Sequence, residues 1–68
     1  MKGFKKLRKT TMIKVDGRLK PMSQGDVVEK LNVSVGTVVN WDRGRGTTDE
    51  MKDKICELFV CSREELEG

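Results

Sequence analysis

The sequence predicts an all-α domain, and three observations support that prediction. Apolar residues recur at helical spacing through most of the 68-residue chain. A Ser or Thr precedes each of the later apolar stretches, where its hydroxyl can cap the first turn of a helix. Only residues 11–21 lack a helical pattern, and they hold an Asp-Gly turn signal among β-branched residues. Residues 1–68 are therefore predicted to form one five-helix domain, in which residues 11–21 are a basic insertion that forms a short β-hairpin or an ordered loop.

The first and the last helices are predicted from apolar spacing. Residues 1–10 contain the first helix, because "FKKLRKT" places two apolar residues three positions apart among cations. Residues 47–67 contain the last two, which are capped by Thr47 or Thr48 and by Ser62. Their inward apolar positions are predicted to be Met51, Ile55, Leu58, Phe59 and Leu66. Four residues are open to two roles, monomer core or dimer contact, namely Phe59, Val60, Cys61 and Leu66.

The register of the hairpin depends on the length of its loop. A three-residue Asp-Gly-Arg loop pairs Val15 with Leu19 and leaves Lys14 and Lys20 pointing outward. A two-residue loop sets Val15 against Arg18 and mixes apolar and charged faces. We therefore expect the three-residue loop, although an isolated two-stranded hairpin is only marginally stable.

Residues 23–42 predict two short helices joined by a tight turn. Ser23 caps "QGDVVEKL" and forms an approximate capping box with Asp26. Asn32 ends this helix, because asparagine tolerates the left-handed conformation. Ser34 then caps "VGTVVNWD". This arrangement is a helix-turn-helix.

Charge is distributed unevenly along the chain, although its net value is only +3. Residues 1–20 carry eight cations and one acid, residues 21–46 carry three of each, and residues 47–68 carry three cations and seven acids. A basic front and an acidic back are typical of a protein that offers one side to a polyanion. The acidic tail is expected to be solvated surface.

Composition excludes several classes of function. Histidine is absent, and Cys56 and Cys61 are too few for a zinc site, so they are expected to be small apolar side chains in a reducing cytoplasm rather than a disulfide. No apolar stretch is long enough for a signal peptide or a membrane span. No catalytic cluster, cofactor motif or small-molecule pocket is recognisable, and an enzyme is therefore not expected.

The outer face of the second helix of this motif carries no charge, which is unusual for a solvated helix. Aliphatic groups there suit thymine methyls, glycine allows close backbone approach, and an Asn amide can pair with adenine. The predicted base-reading residues are Val35, Gly36, Thr37, Val39 and Asn40. Trp41 shares the inward stripe with Val38, and we interpret it as a core residue rather than a base-stacking one.

Groups that suit phosphate contact flank this face. Gln24 and the amides beside it begin one helix, and Arg43 and Arg45 follow the other in a glycine-containing loop. The basic N-terminal segment either contacts phosphate as well or is simply solvated. Asp42 either pairs with a basic residue of the first helix, Arg8, or is a solvated acid at the helix end.

Residues 22–66, and above all "SQGDVVEKLNVSVGTVVNWDRGRG", resemble the Cro and phage-repressor (XRE-type) helix-turn-helix family. The resemblance implies a five-helix, lambda-repressor-like DNA-binding domain that acts as a homodimer on a pseudo-palindromic operator. It implies the same base-reading residues, a phosphate contact for Gln24, and backbone contacts for Ser34, Arg43 and Arg45. It also implies the pairing of Asp42 with Arg8.

The chain departs from the pattern of that family in two ways. Val28, Asn32, Val35 and Gly36 stand where the family mostly has other residue types, so base specificity cannot be read from the motif. The segment "MIKVDGRLK" is an insertion between the first two helices. It carries Lys14, Arg18 and Lys20, for which we predict a backbone or minor-groove contact.

The predicted function is that of a sequence-specific DNA-binding regulator, a Cro-like repressor of a temperate phage, prophage or mobile element. The short chain has no segment to spare for a further domain, which favours a Cro-type protein over a longer repressor. The expected partner is double-stranded operator DNA, with no cofactor, metal, membrane or small-molecule ligand. The alternative is a protein-binding helix-turn-helix module, an antirepressor or antitoxin, because exposed valines also suit protein contact.

Overall fold

A computed structural model describes all residues, 1–68, and gives five helices and one two-stranded antiparallel sheet. The elements in chain order are α1 Phe4–Thr10, β1 Met12–Val15, β2 Arg18–Pro21, α2 Gln24–Leu31, α3 Val35–Asp42, α4 Asp49–Phe59 and α5 Arg63–Glu67. The all-α prediction is therefore wrong, because residues 12–21 form a paired hairpin. The hairpin is anchored at its base, where the Met22 amide donates to the Thr11 carbonyl over 3.0 Å.

The predicted hairpin register is also wrong. Val15 pairs with Arg18 and Lys14 pairs with Leu19 across a two-residue Asp16-Gly17 loop. Both loop residues have positive φ, 51° and 78°, which is the geometry of a turn whose twist matches that of the strands. The two-residue turn is therefore favoured over the three-residue loop that would have paired Val15 with Leu19. As a result, Leu19 is left 71% exposed.

The helix boundaries follow capping signals that the sequence carries. Ser23 and Asp26 form the predicted capping box, and Asn32 ends α2 with a φ of 54°. Ser34, Thr48 and Ser62 cap α3, α4 and α5 with their hydroxyls, whereas α1 begins after Gly3 without a side-chain cap. The C-terminus of α4 carries no such signal, because the residue that takes the left-handed conformation there, with a φ of 52°, is the β-branched Val60.

The core is built around the ring of Phe4, which contacts Trp41 of α3 and Phe59 of α4. Both ring-centroid distances are 5.4 Å. Trp41 is therefore a core residue, as predicted. Of the four residues left open between monomer core and dimer contact, Phe59 and Leu66 are buried in this core and Cys61 is half-buried against it. Val60 is 90% exposed and is the one that faces outward. Met1 and Met22 are also buried, which the sequence did not indicate.

The start of the chain packs tightly against its end. The Gly3 amide donates to the Leu66 carbonyl over 2.9 Å, and a Cβ at Gly3 would clash with the backbone carbonyl of Glu65. Cys56 and Cys61 are half-buried free thiols, and burial, together with the neighbouring Cys56 thiol, raises the pKa of Cys61 to about 11. No helix of the chain has the length and apolar character needed to cross a bilayer.

Candidate nucleic-acid interface

The turn between α2 and α3 is fixed by backbone hydrogen bonds. The amides of Asn32 and Val33 both donate to the Val28 carbonyl, the latter over 3.3 Å. The Ser34 hydroxyl then accepts the Thr37 amide over 3.2 Å and bonds to the Thr37 hydroxyl over 2.8 Å. These contacts set the direction in which α3 leaves the turn. They also engage the hydroxyl of Ser34, whose predicted role is a backbone contact.

The outer face of α3 carries no charged side chain. Val38 and Trp41 point into the core, while the predicted base-reading residues lie outward or at the boundary. Val35 is 58% exposed, Gly36 is exposed, and three are half-buried, namely Thr37, Val39 and Asn40. This face therefore brings together the five predicted residues.

Packing does not require glycine at position 36. A Cβ there would meet only the Ser34 hydroxyl, at 4.0 Å, and the residue has an ordinary helical backbone. The absence of a side chain therefore leaves an open backbone surface near the start of α3. Such a surface permits close approach by another molecule.

Backbone contacts hold the loop that follows α3. The Arg43 and Arg45 amides donate to the Asn40 carbonyl, both over 3.1 Å. Gly44 has a φ of 90°, and its carbonyl accepts the Met1 ammonium over 2.8 Å. The side chains of Arg43 and Arg45 are exposed and form no ion pair, so an ordered loop presents two free cations.

A buried network joins α1, the start of α2 and the end of α3. Arg8 donates to both Asp42 carboxylate oxygens, over 3.1 and 2.8 Å, and to the Met22 carbonyl over 3.0 Å. The Arg8 and Asp42 side chains are only 10% and 9% exposed. The predicted pairing of these residues is confirmed. Burial alone would raise the pKa of Asp42, but the hydrogen bonds from Arg8 and Gln24 outweigh it and leave the pKa below its usual value.

Gln24 has a role in this network that the sequence did not indicate. Its Nε2 donates to Asp42 over 2.7 Å, so that part of the amide is committed within the protein. The backbone amides of Gln24 and Gly25 have no acceptor, because the Ser23 cap takes the amide of Asp26 instead. The free donors at the start of α2 are therefore main-chain N–H groups, which suit an anion. Sequence reasoning missed the contact between Gln24 and Asp42 because it is a tertiary contact between residues 18 positions apart.

Comparisons with protein-family models, with curated proteins and with solved structures give no match.

Exposed ion pairs are confined to the C-terminal helices. Lys52 pairs with Glu67 over 2.9 Å, and Arg63 pairs with Asp49 and Asp53 over 2.7 and 2.6 Å. Eleven cations form no ion pair, namely Lys2, Lys5, Lys6, Lys9, Lys14, Arg18, Lys20, Lys30, Arg43, Arg45 and Lys54. Nine of these belong to residues 1–20 or to the loop after α3. The predicted backbone-contact residues of the hairpin and this loop are thus all unpaired.

Proposed function

We propose that this chain is a sequence-specific DNA-binding transcriptional regulator, a Cro-like repressor that inserts α3 into the major groove of its operator. The observation that carries the proposal is the uncharged outer face of α3, which lies next to the unpaired Arg43 and Arg45. The major groove is about 12 Å wide and admits one α-helix, so the cations beside that helix face the phosphates of the groove wall.

Four residues on the outer face of α3, namely Val35, Gly36, Val39 and Asn40, suit contacts with base edges in that groove. The side-chain amide of Asn40 makes no hydrogen bond within the chain and can pair with an adenine edge. Val35 and Val39 supply apolar contact for thymine methyls, and Gly36 allows the backbone to approach a base. The free amides of Gln24 and Gly25 suit one phosphate at the edge of the groove.

The size of the chain fits a dimer on one face of the duplex. Its longest dimension is 33 Å, and successive major grooves on one face are about 34 Å apart. In a homodimer bound to such an operator, the two α3 helices would lie about one turn apart, in successive major grooves. Repression would follow from occlusion of the polymerase site.

The test begins with the selection of high-affinity duplexes from a randomised pool, followed by titration of the selected and a scrambled duplex at two salt concentrations. We expect a preference for the selected duplex of about a thousand-fold or more, and a steep fall in affinity with salt. Equal, weak binding to both duplexes would contradict the proposal. That result would instead favour a protein partner, for which the 58% exposure of Val35 is the supporting observation.

A further inference from the structure

The turn between α4 and α5 brings the two cysteines of the chain together. Val60 takes the left-handed conformation, and the amides of Cys61 and Val60 donate to the carbonyls of Cys56 and Glu57 over 3.0 and 3.4 Å. These two hydrogen bonds define a Schellman motif, in which the side chains of the first and the sixth residue commonly contact each other. The first and the sixth residue of this motif are Cys56 and Cys61.

The separation of the two residues suits a disulfide bond. With standard bond lengths, the 3.0 Å hydrogen bond from the Cys61 amide to the Cys56 carbonyl holds the two α-carbons no more than about 7 Å apart. The path between them bends at the nitrogen and at the carbonyl carbon, which shortens the separation further. Disulfide bonds usually join α-carbons that are about 4.4–6.8 Å apart. The two thiols can therefore be joined while the turn stays closed.

Both thiols are accessible from the same side of the turn. Each is free and half-buried, packs against the hydrophobic core and lines one surface cavity. Burial raises the pKa of Cys61 to about 11, and a hydrogen bond with the Cys56 thiol contributes to that rise. Such a thiol is a poor nucleophile at neutral pH, because the thiolate is the reactive form. Cys56 is therefore the thiol that we expect to react first.

The turn between the thiols is under backbone strain. Val60 is β-branched and has a φ of 52°, a conformation that costs energy for such a residue. Its side chain is 90% exposed, so little packing offsets this cost. The two backbone hydrogen bonds hold the turn against the strain. A covalent bond between Cys56 and Cys61 would hold it more firmly.

The surroundings of the thiols decide which reagent fits them. Zinc takes four ligands, and the two thiols supply only two. Glu65 lines the same cavity, but its carboxylate accepts the Ser62 amide over 3.1 Å. Glu57 also lines the cavity, and the negative charges of both glutamates disfavour an anionic reagent. A small disulfide that is neutral or positively charged meets neither obstacle.

We propose that Cys56 and Cys61 are a reversible modification site, at which a neutral or cationic low-molecular-weight disulfide converts the two thiols into one intramolecular disulfide that holds the turn between α4 and α5. The thiolate of Cys56 attacks one sulfur of the small disulfide and releases one small thiol. Cys61 then loses its proton, and its sulfur attacks that of Cys56 and releases the second small thiol. Two electrons pass from the protein thiols to the small disulfide, and the two protons end on the released thiols. This inference does not depend on the DNA-binding function proposed above.

The test equilibrates the reduced full chain with cystamine, a cationic small disulfide, at fixed ratios of cystamine to cysteamine. Intact mass identifies the product. We expect wild-type protein to lose two hydrogens without keeping an adduct, and to melt about 5–10 °C higher than the reduced form. Excess reductant should reverse both changes. Oxidised glutathione, which is anionic, should react more slowly than cystamine.

The matched control moves one thiol by one position along α4. Cys56→Ala/Glu57→Cys keeps two cysteines but turns one of them by about 100° round the helix axis, away from Cys61. We expect its thiols to hold mixed disulfides with cysteamine, and closure to be at least about tenfold less favourable than in wild type, because the two sulfurs no longer meet. Thermal unfolding of each reduced variant checks that the fold is retained.

Two single variants test the order of attack. Each keeps one thiol and therefore stops at the mixed disulfide. Cys61→Ala should form this adduct faster than Cys56→Ala, because burial still raises the pKa of Cys61 in the latter. A faster reaction in Cys56→Ala would overturn the assigned order.

The proposal is overturned by any of four results with wild-type protein. These are no reaction, a mixed disulfide that persists, a product that consists mainly of disulfide-linked dimers, and closure without a rise in melting temperature. Closure as favourable in the control as in wild type would also overturn it, because the turn would then not direct the two thiols toward each other. No step of the test uses DNA, so its outcome is separate from that of the operator titration.

Discussion

Residues 1–46 and residues 47–68 hold their charged side chains in different ways. In the C-terminal part, Lys52 and Arg63 form ion pairs at the surface. In the N-terminal part, the single ion pair is the buried one between Arg8 and Asp42, and every other cation is unpaired. The contrast indicates that surface charges of the C-terminal helices join those helices to each other, whereas cations of the N-terminal part remain available to a partner.

The two kinds of pair also differ in energy. An exposed pair contributes little, because water screens it and two long side chains must be ordered. A buried pair is strongly destabilised when one partner is removed, because the other charge remains buried without compensation. The largest effects on stability are therefore expected at the buried network.

Asp42→Asn should be the most destabilising of the substitutions considered. It leaves the buried Arg8 guanidinium without a counter-charge, and we expect the free energy of unfolding to fall by about 3 kcal/mol. Urea denaturation at neutral pH measures it. Glu67→Gln, which breaks an exposed pair with Lys52, is the matched control and should have a much smaller effect. Equal losses of unfolding free energy in the two variants would contradict the expected difference between the buried pair and the exposed pairs.

The same pair predicts how stability depends on pH. The folded-state pKa of Asp42 lies below its usual value of 3.8, so the unfolded chain binds a proton first as the pH falls. The stabilisation is therefore complete above the unfolded-state pKa and is lost as the pH drops through the folded-state value. Denaturation of wild type and Asp42→Asn across the acid range measures it. Parallel pH profiles would show that Asp42 does not titrate as described.

Two substitutions, one on α3 and one in the loop that follows it, should separate sequence reading from phosphate binding. Asn40→Ala should lose about 1–3 kcal/mol of discrimination at one base pair, because a bidentate contact is removed. Arg43→Ala should weaken binding to all duplexes alike and flatten the salt dependence. Titrations against single-base variants of the selected duplex measure both effects. A uniform loss in Asn40→Ala would show that this side chain does not read a base.

The smallest expected change concerns the ends of α2 and α4. Both helices end with a left-handed residue, but Asn32 tolerates that conformation and the β-branched Val60 does not. Val60 is 90% exposed, so its replacement removes little packing. Val60→Gly should raise the free energy of unfolding by about 1 kcal/mol in thermal or urea denaturation. A decrease would mean that the contacts of Val60 outweigh its backbone strain.

Local signals predicted much of this structure. Ser23, Ser34 and Ser62 mark helix starts because a cap depends on residues within one turn. The outward face of α3 followed from the inward spacing of Val38 and Trp41. The pairing of Arg8 with Asp42 spans 34 residues and was predicted only through the family resemblance.

The failures came from interactions between distant or competing elements. Apolar pairing favoured the wrong hairpin register, because the positive φ angles at Asp16 and Gly17 decide the turn. The paired hairpin in turn overturned the all-α prediction. No local pattern places Met1 and Met22 in the core or directs Gln24 toward Asp42, since each of these contacts depends on the assembled fold.

We propose that the N-terminal part of the chain, and not α4 and α5, faces DNA. Backbone-amide NMR of isotope-labelled protein, titrated with the selected duplex, tests it most directly. We expect the largest shift changes at the starts of α2 and α3, along α3 and in the loop that follows it, with small changes through α4 and α5. Largest changes in α4 and α5, or no changes at saturating duplex, would contradict the account.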